Sequence, residues 1–312
     1  MARIINTSHA AFLWLTCAFC IPFGSCLSSG AAPRAVVTIK PIHSLAAAVL
    51  DGVAQPKLLL DGAASPHTYA LKPSDAKAIN EADSVIFVSK NLEVFLGKAI
   101  ETLPADARAI ELERAPGLTL LPVRNGGESD AEHNDHSHGE GGHDVHFWLD
   151  PMNAIAIARE LARQFAAIDP EHAAQYRANA QRLETQLAAL DTELKAKLAG
   201  LSGKPFIVFH DATQYFEARY GLSSLGAVAL SPERAPGAKR LAEVRAKIEE
   251  AKAICVFSEP QFPPKLMQML TAGTKAKRGV LDEVGAAIPA GPDQYFALMR
   301  ADAESLASCL TP

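Results

Sequence analysis

Several things are scarce in this chain, and each scarcity excludes something. Cationic excess is absent: 30 Lys and Arg stand against 35 Asp and Glu over 312 residues, a formal charge of −5. Non-specific nucleic-acid binding depends on net basic character, so that class is excluded. Long apolar runs are also missing. The longest, Ala10 to Gly24, has fifteen residues, and a bilayer-spanning helix needs about 20. No Gly-Lys-Ser/Thr loop is present to cradle a nucleotide phosphate, and no His-Glu-x-x-His to build a zinc peptidase centre. Cysteines number only five, three of them (Cys17, Cys20, Cys26) close to the N-terminus. What remains is an ordinary globular balance, 48% hydrophobic and 6% aromatic, in a chain long enough for two units at roughly 100–200 residues per domain.

The N-terminus reads as an export signal. Arg3 is its single basic residue, no acid accompanies it, and the apolar run gives way to small residues from Ser28 to Ala32. Cleavage is expected near Ala31 or Ala32. Cys26 follows Gly24-Ser25, but Phe23 sits awkwardly three positions before it, so lipid attachment there is not expected. Loss of the signal leaves Cys255 and Cys309. In an oxidising compartment two such cysteines most often pair; two buried thiols are the alternative, and a thiolate metal site is disfavoured because both lie far from the histidines.

Short β-branched runs alternate with helical stretches at Val36–Ile39, Lys57–Leu60 and Ser84–Val88, and again at Phe206–Phe209, Ile254–Phe257 and Gly279–Leu281. Alternation of this kind predicts α/β layers with parallel sheets. Between the two sets, Asp169-Pro170-Glu171 opens a helix, and Leu183, Leu187, Leu190, Leu194, Leu198 and Leu201 then recur every three or four residues. The organisation expected is a signal at 1–32, an α/β lobe at 33–168, a rigid spine helix at 169–201 and a second α/β lobe at 202–312. Residues 126–145 interrupt the first lobe with six acids, no Lys or Arg and almost nothing apolar, and are expected to form a mobile loop.

Histidine is where this sequence is unusual. Five of its ten histidines (133, 136, 138, 143 and 146) fall within fourteen residues. His133, His136, His138 and His143 belong to the acidic loop and suit weak, accessory metal capture. His67, His146 and His210 stand in ordered surroundings, and both His67 and His210 follow the carboxyl end of a predicted strand, where open α/β sheets place ligands. Three imidazoles with a carboxylate or water complete the tetrahedron zinc favours. Asp282, after Gly279-Val280-Leu281, is the expected fourth ligand, with Glu259 or water behind it. Asp211 and Glu259 are expected to support the site from behind the ligands, Asp211 by orienting His210. His43 reads as structural, and His172 as solvated.

These residues lie in strings that resemble, in order and over the whole chain after the signal, the periplasmic zinc-binding proteins of bacterial ABC importers, the cluster A-I metal solute-binding proteins. The strings are Ser65-Pro66-His67-Thr68-Tyr69-Ala70-Leu71-Lys72-Pro73-Ser74-Asp75, His146-Phe147-Trp148-Leu149-Asp150-Pro151, Phe209-His210-Asp211-Ala212 with Tyr215-Phe216, Ser231-Pro232-Glu233 with Pro236-Gly237-Ala238, and Phe257-Ser258-Glu259-Pro260-Gln261-Phe262. The resemblance implies two lobes bridged by a long rigid helix, zinc held in the cleft by His67, His146 and His210, and a Cys255–Cys309 disulfide. It further implies a periplasmic monomer that hands its zinc to a membrane permease driven by a cytoplasmic ATPase, with no catalysis of its own. Pro66 stands where some zinc relatives carry a glutamate. Two other readings compete: a manganese or iron carrier, whose relatives usually have glutamate where His210 stands, and a secreted zinc hydrolase using Glu259 or Asp211 as base.

Overall fold

The computed structural model describes residues 1–2, 32–124, 142–229, 232 and 235–311. The expected signal up to Ala31, Cys26, the loop histidines His133, His136 and His138, and Ser231 and Glu233 therefore lie outside the described residues. The fold lies within one compact unit, residues 31–312.

Its first half is a four-stranded parallel sheet with the order β2-β1-β3-β4, built from β1 (Ala35–Val37), β2 (Lys57–Leu58), β3 (Ser84–Phe87) and β4 (Arg108–Glu111). The crossovers carry α1 (Lys40–Val49), α2 (Pro73–Asn80) and α3 (Gly97–Glu101). Val36, Val37, Val85 and Ile86 are at most 3% exposed, as expected of strands covered on both faces. β4 carries Arg, Ala, Ile and Glu, too polar to be recognised as a strand from its sequence. The second half repeats the scheme with β5 (Phe206–Ile207), β6 (Cys255–Ser258) and β7 (Lys277–Val280) as a parallel β5-β6-β7 sheet, with α6 (Gln214–Tyr220), α7 (Ala238–Glu250) and α8 (Lys265–Thr271) between them.

Between the halves lie α4 (Pro151–Ile168) and α5 (Ala173–Leu198). Asp150 caps α4 by accepting from the Met152 N–H, with Pro151 in the first turn. The expected spine is α5, preceded by a short 3-10 turn at Pro170–His172. Its 26 residues span about 39 Å at 1.5 Å each. Leu183, Leu187, Leu190, Leu194 and Leu198 are all at most 2% exposed, and they form one stripe against α4, α1 and the last helix, α9 (Gln294–Leu310). Gly200 and Gly203 follow with φ of 82° and 75°, a left-handed backbone that stops the helix.

α9 was not anticipated from the sequence. It covers β7, whose free edge it caps through Ser305, which donates to the Val280 carbonyl and accepts from the Val280 N–H. The Cys255–Cys309 disulfide ties α9 to β6 across 54 positions of sequence, with the Cα atoms 6.0 Å apart. Gly279 in β7 leaves room for the ring of Phe257, its partner on β6, which a Cβ there would meet at 2.4 Å. No described helix is long and apolar enough to cross a membrane.

Candidate metal centre

Loops at the carboxyl ends of both sheets converge, and they carry the three histidines. His67 rides the turn after β2, His210 follows β5, and His146 immediately precedes the short 3-10 turn Phe147–Leu149 that leads into α4. His146 and His210 are buried and His67 is half-buried. The Nε2 atoms point at one another: His67 to His146 is 3.2 Å and His210 to His146 is 3.4 Å. Zn–N bonds of about 2.0–2.1 Å at tetrahedral angles place ligand nitrogens about 3.3–3.4 Å apart. The ring spacing is that of a tetrahedral zinc site.

Carboxylates behind two of the rings set their tautomers. His146 Nδ1 lies 2.7 Å from Asp144 Oδ1, and His210 Nδ1 lies 2.6 and 2.7 Å from the two Glu259 oxygens. Each carboxylate also accepts the backbone N–H of its own histidine. With Nδ1–H donated backwards, the neutral ring presents a bare Nε2 lone pair forwards. Two such lone pairs at 3.4 Å repel unless a cation lies between them. Burial pushes Asp144 up to about 6 and Glu259 up to about 8, and a cation bound to the facing rings favours the ionised form of both.

A further carboxylate, Glu283, approaches from the loop after β7. His210, Glu259 and Glu283 form a second group whose ligand atoms all lie within 4.8 Å of one another, alongside the group of His67, His146 and His210. Glu283 is buried, and neither of its carboxylate oxygens has a hydrogen-bond partner among the described residues. Burial pushes it up to about 8, with the negative charge of Glu259 adding to the shift. A buried carboxylate without donors is costly, and a divalent cation is a group that offsets such a cost.

Asp282, the expected fourth ligand, is in neither group. Its Oδ1 accepts from Gln261 Nε2 and the N–H groups of Val284 and Gly285, and its Oδ2 accepts from the Ala286 N–H at 2.6 Å. This aspartate folds the turn that carries its neighbour. Asp211 does not orient His210 either; Glu259 does, and Asp211 is paired instead with Arg124, which also grips buried Glu217. His43 behaves as read, buried with Nε2 at 3.0 Å from the Pro56 carbonyl. His172 is not simply solvated, since its Nδ1 lies 2.7 Å from Asp169. The expected loop is also shorter than 126–145, because residues 142–144 pair with 121–123: Val123 N–H donates to Gly142 O and Asp144 N–H to Leu121 O. Exposed His143 sits on this stem, bridged to Pro122.

Three residues of the centre went unrecognised in the sequence. Glu283 sat beside the more familiar aspartate. Asp144 could have been found from its Asp-x-His spacing to His146. Arg124 could not, because its partners Asp211 and Glu217 lie about 90 positions away.

Two parallel α/β halves, a long helix between them, and imidazoles from both halves meeting at the strand ends define a metal-binding solute receptor. Residues 35–309 match the family model for the periplasmic component A of the zinc-uptake complex. The chain is 43% identical to the high-affinity zinc uptake system protein ZnuA of Brucella suis biovar 1 (strain 1330), across 96% of this chain and 98% of that protein. It is 37% identical to the protein of the same name from Yersinia pestis, over 89% and 92% of the two chains. Among solved structures, a crystal structure of ZnuA superposes with a TM-score of 0.76 at 25% identity, covering 90% of this chain and all of that one. The chain belongs to the periplasmic zinc-uptake component A family.

Proposed function

We propose that this protein is the periplasmic zinc-binding component of an ABC-type uptake system, holding one zinc ion through His67, His146, His210 and Glu283. The observation that carries the reading is the convergence of Nε2 atoms at 3.2 and 3.4 Å, with carboxylates behind two of the rings. Three imidazoles and one carboxylate suit zinc better than manganese or magnesium, which prefer oxygen-rich octahedral shells. Four protein ligands leave no open position for a substrate, so the centre carries metal rather than catalyses. Delivery falls to a membrane permease, with ATP hydrolysis assigned to a cytoplasmic partner because this chain has no phosphate-binding loop. Residues 1–32 act as the export signal in this reading, and residues 33–168 and 202–312 act as lobes on either side of α5.

A competition titration of the mature, metal-stripped protein against a zinc chelator tests the proposal. One tight site is expected in the wild type and none when His67, His146 and His210 are replaced together by alanine. Retention of tight binding in that variant overturns the assignment.

A further inference from the structure

Glu283 presents a problem of placement. Its carboxylate accepts no hydrogen bond from any other described residue, so no polar side-chain contact fixes where it points; its backbone must. That backbone is held from the other half of the molecule. The Trp148 indole N–H donates to the Glu283 carbonyl at 2.8 Å, bridging 135 positions of sequence. The Trp148 carbonyl in turn accepts from the Tyr295 hydroxyl at 2.7 Å. Both side chains are fully buried, at 0% exposure. The Trp148 ring also lies beside the His146 ring, centroid to centroid 5.3 Å.

Neighbouring contacts seat the same turn. Gln294 Nε2 donates to the Val284 carbonyl at 2.9 Å. Lys40, at the start of α1, donates to the carbonyls of Ala286 and Ile288 at 2.9 and 3.0 Å. Ser44 Oγ donates to the Pro292 carbonyl and accepts the Tyr295 N–H. The loop after β7 is thus shaped by Asp282 from within and anchored by the first half from without. Trp148 is the member of this seam that touches a histidine of the centre on one side and the glutamate's backbone on the other.

We infer that Trp148, held by Tyr295, is a positioning residue that delivers the Glu283 carboxylate to the metal bound by the three histidines. The inference rests on the reading of Glu283 as the fourth ligand. Its action is indirect, since neither Trp148 nor Tyr295 offers an atom to the metal; the indole N–H holds the glutamate's own carbonyl, next to the Cα from which the carboxylate projects.

A double-mutant cycle on the full mature protein tests it, with zinc affinity read by chelator competition and the visible spectrum of the cobalt(II)-loaded protein as a record of coordination geometry. Trp148→Phe keeps an aromatic ring and removes the indole N–H. It is expected to weaken zinc by about 10-fold, within the range of about 10- to 100-fold found when groups supporting metal ligands are lost, and to lower the intensity of the tetrahedral cobalt bands. Glu283→Gln is expected to weaken zinc by at least as much. Adding Trp148→Phe to Glu283→Gln should then change affinity by less than about 2-fold. Tyr295→Phe, which loses one hydroxyl, should give a smaller loss of the same kind and carries the cycle if Trp148→Phe does not fold. A Trp148→Phe loss that is equal in both backgrounds overturns the positioning role and leaves the Glu283 reading standing. If Glu283→Gln alone binds zinc as the wild type does, the Glu283 reading fails and the positioning role fails with it.

Discussion

Two buried glutamates sit at the carboxyl ends of the two sheets, and their surroundings are opposite. Glu93, beside the first sheet, is 1% exposed and accepts from Thr38 Oγ1 at 2.6 Å and from the N–H groups of Val88 and Ser89 at 3.0–3.1 Å. Glu283, beside the second sheet, is 3% exposed and has no described donor. Burial pushes both up, Glu93 to about 7 and Glu283 to about 8. Placing carboxylates at strand ends therefore does not make a site. The first region uses its glutamate to bind loops together with neutral donors, whereas the second leaves its glutamate short of partners and grouped with His210, one of the three converging imidazoles. The contrast separates an acid satisfied by its own loops from the one we propose as a metal ligand.

The largest effect expected on this contrast is removal of the imidazoles. Replacing His67, His146 and His210 together by alanine should abolish tight zinc binding and, with it, the rise in melting temperature that zinc is expected to produce in the wild type, measured by calorimetry. The next prediction sets the two glutamates against each other. Glu93→Gln forces an amide N–H₂ against at least one of the donors that Glu93 now satisfies, so it should lower stability by about 1–3 kcal/mol in denaturant melts while leaving zinc affinity within a few-fold. Glu283→Gln should do the reverse, weakening zinc and leaving the zinc-free protein as stable or slightly more so. Similar phenotypes for the two variants would break the comparison.

A third prediction concerns pH. Because Glu93 and Glu283 hold their protons to about 7 and about 8 in the fold but release them near the ordinary carboxylate value when unfolded, the native state binds more protons between roughly pH 4.5 and 8. Zinc-free stability should therefore fall as pH rises through that window, by at most about 1.4 kcal/mol per pH unit for each such group. Zinc binding should show the opposite trend and strengthen with rising pH, since it needs bare imidazoles and an ionised Glu283. Melting curves and chelator titrations at half-unit steps from pH 5 to 8 measure both. Glu93→Gln should lessen the first slope, to which Asp144, Glu259 and Glu283 still contribute, and leave the second in place. The smallest effect is expected from deleting residues 126–141. That deletion retains the 142–144 stem and Asp144, so the tight site should survive unchanged while weak additional binding disappears; extending it through residue 145 removes the Asp144 carboxylate from His146 and should weaken the tight site too.

Much of the architecture was readable from hydrophobic patterning. Six of the seven strands among the described residues and the leucine stripe of α5 come from runs whose period is visible over a few residues. β4 escaped because Arg108-Ala109-Ile110-Glu111 buries only Ile110 fully, and its place at a sheet edge leaves little patterning to detect. Within the site, His67, His146 and His210 announced themselves by position, two in the segments that follow strands and one at the end of a histidine-rich run. The choice between Asp282 and Glu283 did not. Adjacent residues leave a strand end in different directions, and their roles depend on which of them meets the following backbone N–H groups.

Local chemistry in the chain was enough to specify an α/β protein with a long central helix, because strand alternation and helical stripes act over short stretches, and residue type alone made imidazole the expected metal-binding group. The carboxylate we propose as fourth ligand, the aspartate and glutamate behind two of the imidazoles, and the indole that reaches the Glu283 backbone depend on contacts between residues up to 135 positions apart. Those contacts exist only after the two sheets have packed around α5, when a buried carboxylate either finds donors, as Glu93 does, or is left facing the place where a cation fits.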